Sequence, residues 1–496
     1  MFSRLFQAIV LIAGLYLLVS SCRKEDDIAT SPDYKLAFSN DTIIFDTVFT
    51  TVGSTTRTLK VYNRNDKKVK ISNIRLARGT SSNFEMNVNG FSGTVIKDIE
   101  LDSDDSLYIF VRVTVDPTQS NNPLIISDSI MFETNSNFQD IDLVAWGQDA
   151  HFYVGRNKLQ GLSYPYGIVA GEGESVTWED DKPYVIYGWA VVDSTGILNI
   201  GPGCDIHFHQ NSGLWIYRGG SIKVNGLVDS VVTFQGDRLE AEYKNLPGQW
   251  DRIWINEGAV DNEFNYAVVK NGFIGIQAEI TRQSMGNKLV LNNTMIQNMS
   301  RWGLFTIGYR VEGYNSIFAN CAENTAFFSV GGLYDFRQCT FANFWNQSVR
   351  LDPSFTVSNN LTVFDADGNP ITFLGDLNAS FRNCIIYGNL DEELVLSEDK
   401  SVAFEVLFQN CDIRTEDPLE ANYFVDCIKN AGPKFIDVAA NNYRLDTLSP
   451  VSDIGNLEVI NGSTVDISKD FDGNSRIADD GPDLGAFEFV PAGKRK

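Results

Sequence analysis

The chain has 496 residues, 43% of them hydrophobic, and a formal net charge of −24 at pH 7. This length allows more than one domain, because single hydrophobic cores stop growing at about 250–300 residues. The acidic balance excludes nucleic acid as a partner, since phosphate binding needs a basic face. It also disfavours an anionic polysaccharide unless a cation bridges the two.

Residues 1–21 have the features of an export signal. Arg4 precedes an apolar run over residues 5–19, and two serines then lead to Cys22. The run is too short to span a bilayer as a helix, so we expect it to be removed. The small residues before Cys22 resemble a bacterial lipobox, which implies acylation of Cys22 and anchoring to the outer membrane. An ordinary secretory signal with an incidental cysteine is the alternative.

Residues 22–33 are predicted to form the acylated tether. Residues 23–27, Arg-Lys-Glu-Asp-Asp, resemble the export tag of surface-exposed lipoproteins in a Gram-negative phylum rich in glycan-handling systems. The resemblance implies that the protein faces outward on the cell surface. A solvated linker is the alternative interpretation.

Residues 34–150 are predicted to form a small antiparallel β-sandwich. Apolar and polar residues alternate at 59–61, 69–71, 107–115 and 130–132, as in short strands with one buried face. The run over residues 105–117 and the two strands after it resemble immunoglobulin-like domains of bacterial surface proteins. This resemblance implies a spacer, and residues 151–184 are interpreted as a linker and N-terminal cap.

A right-handed parallel β-helix is predicted for residues 185–455. In the second half of the chain an apolar-x-apolar pattern recurs every 22 to 27 residues, which indicates strands stacked coil upon coil. The copies open at Ala267, Thr294, Ser316, Cys339, Leu361, Cys384 and Cys411. An Asn or Gln precedes six of these seven positions, and such residues tolerate a left-handed bend and can stack as a hydrogen-bonded ladder. The cysteines of this column are expected to be buried thiols rather than disulfides or metal ligands.

Earlier copies of the pattern pair residues 198–200 with 222–224, 206–208 with 232–234, and 214–216 with 253–255. Residues 235–249 read as a polar insertion in one coil. Gly-Ile-Leu-Asn-Ile-Gly-Pro-Gly at 196–203 and Trp-Asp-Arg-Ile-Trp-Ile at 250–255 resemble the pectin-lyase-like β-helix family. The resemblance implies a fold and says little about activity. A β-sandwich with coincidental spacing is the alternative.

Aromatic residues provide the candidate ligand site. If residues 214–216 stack on 253–255, Trp215 and Trp254 point outward one above the other, with Tyr217 and Arg252 beside them. Exposed stacked rings flanked by polar groups suit the apolar face of a sugar. The alternative is that residues 235–249 or the sandwich cover these rings.

Catalytic residues are not assigned. The predicted outward column, Val268, Met295, Ile317, Thr340, Thr362, Ile385 and Asp412, contains one acid. Asp251, Arg252 and Glu257 are the best acid or base candidates, with ordinary surface charges as the alternative. His207 and His209 share a strand, but no third metal ligand is evident, so no cofactor is predicted.

Residues 456–496 are predicted to cap the solenoid. The segments 470–476 and 483–488 resemble the choice-of-anchor Q module that ends many bacterial β-helices. Arg476 is placed to pair with Asp483 or Glu488 and close the last coil. Asp470, Asp472 and Asn474 alternate like Ca²⁺ ligands, but the rest of an EF-hand pattern is absent, so calcium is the weaker interpretation.

These patterns together predict an all-β, lipid-anchored surface protein. We expect its β-helix to bind a glycan or another surface ligand without catalysis. A divergent polysaccharide lyase or glycosidase is one alternative, and a purely structural, adhesin-like stalk is another.

Overall fold

A computed structural model describes residues 28–49, 53–54, 56–115, 124–162, 164–258, 261–280, 288–365, 367–478 and 480–491. The predicted export signal and Cys22 lie outside these residues. The chain divides into two compact units, Met1–Asp149 and Ala150–Lys496. Among the described residues, no helix is long and apolar enough to cross a membrane.

The first unit is a β-sandwich of two five-stranded sheets, as predicted. One sheet contains, in spatial order, Ala37–Phe38, Arg57–Tyr62, Ser106–Val113, Phe84–Val88 and Phe91–Ser92. The other contains Thr42–Phe49, Asn137–Gln148, Leu124–Thr134, Val69–Leu76 and Val95–Leu101. The pairing is antiparallel except between Thr42–Phe49 and Asn137–Gln148, which run parallel. Alternating side chains such as Leu59, Ile109 and Ile130 form the core between the sheets.

The second unit is a parallel β-helix with three sheets, which the chain visits in the same order from coil to coil until Asp412–Ile413 of sheet 1, after which the next described strand is in sheet 3. Sheet 1 contains His151–Val154, Tyr184–Tyr187, Asp205–Phe208, Val232–Gly236, Ala267–Lys270, Met295–Met299, Ile317–Cys321, Thr340–Asn343, Ile385–Gly388, Asp412–Ile413 and Ile428–Lys429. Sheet 2 contains Tyr166–Ala170, Trp189–Val192, Gly213–Ile216, Ile253–Ile255, Ile276–Glu279, Leu304–Ile307, Ala326–Ser329, Phe355–Ser358 and Leu394–Ser397. Sheet 3 contains Ser175–Trp178, Ile197–Ile200, Ser221–Asn225, Asn262–Asn265, Lys288–Asn292, Arg310–Tyr314, Gly332–Arg337, Leu377–Arg382, Phe404–Gln409 and Phe424–Val425.

The remaining elements are short. Two hairpins are formed by Asn360–Phe364 with Pro370–Leu374 and by Phe435–Asp437 with Asn442–Leu445. The helical turns are Gly79–Ser81, Ala241–Tyr243, Val438–Ala440 and Leu457–Asn461. Parallel pairing begins at His151–Val154, so the coils start within the segment interpreted as linker and cap.

Two of the three predicted registers are confirmed. Leu198 pairs with Ile222, and Trp215 pairs with Trp254. The third is wrong by two residues, because Ile206 pairs with Phe234 rather than with Val232. A shift of two residues keeps the same side chains inside, so the apolar pattern alone does not distinguish the two registers.

The copy predicted at Leu361 is not a coil. Residues Asn360–Phe364 instead pair antiparallel with Pro370–Leu374 in a separate hairpin, and sheet 1 passes directly from Thr340–Asn343 to Ile385–Gly388. Thr362, predicted to face outward from the coil, therefore lies on this hairpin. Any alternating strand gives the apolar-x-apolar pattern, so a hairpin placed near the expected interval imitates a coil.

Six residues that precede strands of sheet 1, five of them amides, adopt the predicted bend. The φ angles of Tyr266, Asn293, Asn315, Gln338, Asn383 and Asn410 lie between 46° and 55°. The predicted ladder of amides is absent for Asn315, Gln338 and Asn383. Their side chains donate instead to the backbone carbonyls of Lys469, Asp483 and Asn456, which belong to residues 435–491, the C-terminal segment.

The C-terminal segment packs along the outer face of sheet 1, which corrects the predicted cap over the last coil. Ile317 and Ala342 of the sheet share an apolar cluster with Tyr443 and Phe487, and Ile385 shares another with the same segment. The outward residues Ile317, Thr340, Ile385 and Asp412 are consequently at most 1% exposed. This face of the solenoid is occupied by the chain itself.

Arg476 holds the C-terminal segment to the solenoid. Its buried guanidinium forms an ion pair with Glu488, as predicted, and donates to the side-chain oxygen of Asn315 at 3.1 Å. Asp483 accepts from the backbone of Asp453 and Phe489. The charge-assisted bonds therefore join the segment to the side of the coils.

Candidate functional site

The outer face of sheet 2 carries a row of large side chains, one from each of five consecutive coils. The row contains Trp215, Trp254, Gln277, Phe305 and Phe327, which occupy paired positions on neighbouring strands. Their neighbours Ile253, Ile255 and Ile276 point inward and are buried. Because neighbouring strands lie about 4.7–4.9 Å apart, this alternation stacks the outward side chains into a continuous strip.

The predicted tryptophan pair is confirmed. The rings of Trp215 and Trp254 are stacked with centroids 5.0 Å apart and planes 13° apart. Tyr217 meets the edge of Trp215 at 5.2 Å, and Trp189 lies 6.0 Å from Trp254. The four rings form a compact aromatic cluster.

Exposure within the aromatic cluster is uneven. Trp215 is only 7% exposed, whereas Trp254 is half-buried and Tyr217 is 36% exposed. Leu162 and Tyr166 from the first coil pack against the cluster. The insertion at 235–249 bonds elsewhere, to the backbone of Asn271 and Gly272. Trp215 is therefore a packing residue, while Trp254 and Tyr217 present surface to solvent.

Glu279 is the polar centre beside the tryptophan pair. One carboxylate oxygen accepts from the indole of Trp254 at 2.8 Å and from the amide of Asn256 at 3.2 Å. The other accepts from Gln277 at 2.8 Å. Asn256 also accepts from the indole of Trp215 at 2.5 Å. These bonds fix both indoles in orientation.

Arg252 extends this polar network along the strip. Its guanidinium donates to Asp251 at 2.6 Å and to Gln277, and it lies 5.7 Å from the ring of Phe273. Phe273 is 37% exposed. The predicted site residue Arg252 is therefore joined to the strip through Gln277, which pairs with Trp254 on the neighbouring strand, and its charge is balanced by Asp251.

A second aromatic group continues the strip. Trp302 contacts Phe305 at 4.2 Å and Phe327 at 5.8 Å. The guanidinium of Arg301 lies 3.7 Å above the Trp302 ring and pairs with Glu323 at 3.3 Å. Such a cation over an indole is stabilising and leaves one aromatic face covered by charge.

The acids proposed for catalysis are held in structural contacts. Asp251 pairs with Arg252, and Glu257 pairs with Arg218. A further carboxylate on this face, Glu279, accepts three side-chain hydrogen bonds. The outer face of sheet 2 therefore presents aromatic rings beside carboxylates that already accept hydrogen bonds from the protein. Rings and fixed polar groups together are suited to holding a polar ligand.

The histidine pair has separate partners. His207 is buried against the Gly236 carbonyl, 3.0 Å away, and burial lowers the pKa of its imidazole. His209 contacts Asp237 at 2.7 Å and stacks on Tyr187. His207 lies between the inward residues Ile206 and Phe208, so it faces outward from its strand, yet it is only 3% exposed. In the described part of the chain no three His, Cys, Asp or Glu side chains are grouped for a metal ion.

The cysteines and the C-terminal acids have structural surroundings. Five of the six described cysteines are buried and all six are free thiols, as predicted. Burial raises the pKa of Cys321 to about 12. Asp470 accepts from the backbone and side chain of Asn474, and Asp472 accepts twice from Arg444. The residues of the weaker calcium interpretation are thus engaged by nitrogen donors.

Sequence reasoning missed Glu279, Gln277, Phe305 and Phe327. A signal was present, since Ile276-x-Ala278 and Leu304-x-Thr306 continue the pattern of residues 253–255. Following that column past Trp254 identifies every member of the strip.

Comparisons with known proteins give no family for this chain. No family model matches it, and no curated protein matches it. Among solved structures, the periplasmic chaperone SfaE aligns with 14% identity and a TM-score of 0.17, covering 23% of this chain and 58% of that one. A PapD-like domain of human CEP192 aligns with 12% identity and a TM-score of 0.16, covering 26% of this chain and 94% of that domain. A family 123 glycoside hydrolase from Clostridium perfringens aligns with 9% identity and a TM-score of 0.18, covering 29% of this chain and 30% of that one.

Proposed function

We propose that this protein is a lipid-anchored surface protein whose β-helix binds a glycan on the outer face of sheet 2, without catalysis. The observation that carries the proposal is the network in which Glu279 fixes Trp254, which is stacked on Trp215, while the exposed ring of Tyr217 meets the edge of Trp215. Rings that hydrogen bonds already hold in place lose little conformational entropy when a ligand binds. The favourable free energy of their contact with the apolar face of a sugar is therefore not offset by an entropic cost of ordering the side chains.

The charge of the chain narrows the ligand class. The formal net charge is −24. The arginines of the strip, Arg252 and Arg301, are each paired with an acid. A neutral glycan is therefore favoured over an anionic one, which would meet a field of like sign.

The anchor is proposed from the sequence alone. Acylation of Cys22 would tether the mature chain to the outer membrane, and residues 23–27 would direct it to the cell surface. The sandwich unit would act as a spacer, and the solenoid would carry the recognition surface.

A glycan array probed with the soluble chain beginning at residue 28, followed by affinity measurements, tests the binding proposal. Replacing Trp254 or Tyr217 with alanine should weaken binding of the best array ligand by about 1 kcal/mol or more, as interface aromatics often do. The matched control is Tyr108→Ala, which removes a 46% exposed ring from the sandwich unit. Equal affinity of all three variants and the parent chain would contradict the proposed site.

Trp215→Ala belongs to a separate experiment. Its ring is 7% exposed and packs against Trp189 and Trp254, so we expect this substitution to lower the free energy of unfolding. Loss of binding in that variant would not distinguish a contact from a packing defect.

A further inference from the structure

Sheet 2 ends one strand earlier than the other two sheets of the solenoid. Its last strand is Leu394–Ser397, whereas sheet 1 ends at Ile428–Lys429 and sheet 3 at Phe424–Val425. Residues 414–423 lie where the next strand of sheet 2 is due, between sheet 1 and sheet 3, and they contain no strand. The end of sheet 2 therefore has an unfilled strand position.

The length of the last coil explains the missing strand. Asp412 pairs with Ile428 of the next coil, and the chain between them is much shorter than the chain between Ile385 and its partner Asp412. A strand advances only about 3.3 Å per residue, so a shortened coil cannot follow all three sheets. The chain leaves sheet 1 and crosses the corner directly to sheet 3.

The open edge of strand Leu394–Ser397 presents unpaired backbone groups. On the other edge, the Phe355 N–H donates to the Glu393 carbonyl. Consecutive residues of a strand direct their backbone groups to opposite edges, so Leu396 directs its N–H and its carbonyl to the open edge. In the part of the chain that the structure describes, neither group of Leu396 has a hydrogen-bond partner. Such an edge is a template for a further strand.

A groove of about 400 Å³ lies along this open edge. Its apolar lining is provided by Leu394, Leu396, Leu419 and Phe424, and the last three are partly buried against the core of the solenoid. An apolar side chain that entered the groove would extend the stack of core residues by one layer, and burial of its surface would be favourable. The groove is therefore shaped for the side chain of an added strand.

The charged residues that line the groove are all acidic. They are Glu392, Asp417 and Glu420, and no Lys or Arg is among the described lining residues. Glu392 is held in place by the N–H of Glu416 at 3.0 Å and the hydroxyl of Thr415 at 2.9 Å. Asp417 and Glu420 are exposed. Exposed carboxylates beside an apolar groove favour a cationic occupant, and the formal net charge of −24 adds to the same attraction.

We propose that this groove binds an extended, basic peptide segment of a partner protein. The segment adds one strand to the edge at Leu396, as in other complexes formed by β-strand addition. One of its apolar side chains enters the groove against Leu396 and Leu419, and the lysine or arginine side chains beside it meet Asp417 and Glu420. The groove uses no residue of the aromatic strip, so it is a second recognition surface, separate from the proposed glycan site.

The observations favour this occupant over others. A small cation would leave the apolar lining and the backbone groups of Leu396 uncovered. A second copy of the chain brings a formal net charge of −24 toward a groove of the same sign. Residues 494–496, Lys-Arg-Lys, have the favoured charge and lie outside the described residues, so the chain's own basic segment is the remaining competitor.

Fluorescence anisotropy with a labelled peptide tests the proposal. The probe is fluorescein-labelled Lys-Val-Lys-Val-Lys-Val-Lys, which as a strand places its valines on one face and its lysines on the other. The soluble chain from residue 28 should bind this peptide, and added salt should weaken the complex. The variant Asp417→Asn/Glu420→Gln should bind the peptide about tenfold more weakly, because two ion pairs are lost.

The matched control is Glu172→Gln/Asp229→Asn. Both residues are exposed between strands of earlier coils, and this variant loses the same two charges. It should bind the peptide as tightly as the parent chain does. Equal weakening in the two double variants, or no measurable binding to the parent chain, would overturn the proposal.

A modified peptide tests the strand addition separately from the charge. The same peptide with every backbone nitrogen methylated keeps its side chains and its charge, but it cannot donate to the carbonyl of Leu396. It should bind about tenfold more weakly or not at all. Undiminished binding of the methylated peptide would overturn the strand addition.

A shortened chain tests the identity of the occupant. A chain that ends at residue 491 lacks the basic residues 494–496 and should bind the peptide as tightly as the parent chain. Markedly tighter binding by the shortened chain would show that its own basic segment competes for the groove, and would overturn the assignment to a partner protein.

Discussion

At the scale of single residues, the solenoid contains a pair of opposite charges that is buried from solvent. The side chains of Arg350 and Glu393 are 1% and 0% exposed and form an ion pair of 2.5 Å. Arg350 also donates to the carbonyls of Asp352 and Asn343. Removing two charges from water costs several kcal/mol per ion, and this geometry offsets that cost only while both partners are present.

Glu393→Ala should therefore lower the free energy of unfolding by about 3–5 kcal/mol, because it leaves a buried guanidinium without its carboxylate. Chemical denaturation measures the change. Glu263→Ala is the control, since the Glu263 and Lys223 side chains are 39% and 30% exposed and an exposed pair contributes about 1 kcal/mol or less. Similar losses in the two variants would contradict the assignment of Arg350 and Glu393 as a buried pair.

Asp412 predicts a pH dependence. It is fully buried, its Oδ1 accepts from the Ala431 N–H, and burial raises its pKa to about 7. Between its unfolded pKa near 3.9 and about 7, the folded state keeps a proton that the unfolded state releases, so stability falls as pH rises through this window. Asp412→Asn should remove the part of the decline that Asp412 contributes, and burial of Asp483 and Glu488, which raises their pKa values to about 6 and about 8, leaves the remainder. The test compares free energies of unfolding of the two proteins from pH 4 to pH 8, and parallel curves would count against the assignment.

At the scale of elements, the amide residues at the sheet 3 to sheet 1 bend have two roles. Asn383 adopts φ 51°, and its side chain also exchanges two hydrogen bonds with the backbone of Asn456. The first role depends on a residue that tolerates left-handed angles, and the second on the amide group. The same residue therefore turns a coil and holds the C-terminal segment.

Two substitutions separate these roles. Asn383→Gly keeps the backbone angle and loses the amide, so it should loosen the C-terminal segment at a cost of about 1–2 kcal/mol. Asn383→Ala adds the strain of a left-handed angle and should cost about 1 kcal/mol more. Limited proteolysis reports release of residues 435–491, and thermal unfolding reports the difference. Equal stability of the two variants would show that the bend carries no strain.

Periodicity predicted the elements well where neighbouring coils determine them. The bends at Asn293, Asn315 and Asn410 and the stack of Trp215 on Trp254 depend on residues one coil apart, and all are as expected. The hairpin at Leu361 and the covering of sheet 1 were missed. Both depend on contacts between residues far apart in sequence, which the repeat spacing does not predict. An example is the hydrogen bond from the Gln338 side chain to the carbonyl of Asp483, 145 residues away.

The candidate site was predicted only in part for a related reason. Trp215, Tyr217 and Trp254 are together, as expected, whereas Arg252 bonds to Gln277 on the next coil. Their exposure depends on Leu162 and Tyr166, which precede the segment assigned to the β-helix and carry no repeat signal. That Trp215 is a buried packing residue is therefore visible in the structure but could not be predicted from the repeat pattern of the sequence.

At the scale of the whole molecule, the two units have separate cores. The sandwich core contains residues such as Leu59 and Ile109, and the solenoid core contains a run of stacked aromatic rings. Phe341 belongs to that run, stacked on Phe318 at 4.8 Å and meeting Phe355 at 4.6 Å. Each coil buries its apolar face against the coils on either side, so damage in one coil should spread along the solenoid.

Phe341→Asp should accordingly unfold the solenoid and spare the sandwich. The substitution places a carboxylate in an apolar core, which costs several kcal/mol when nothing pairs with it. Proteolysis followed by mass spectrometry should recover a resistant fragment within residues 28–149 and peptides from the coils. Leu333→Asp is the control, because Leu333 is 42% exposed on sheet 3 and its replacement should leave both units resistant. Simultaneous loss of the sandwich fragment would show that the first unit depends on the solenoid for its stability.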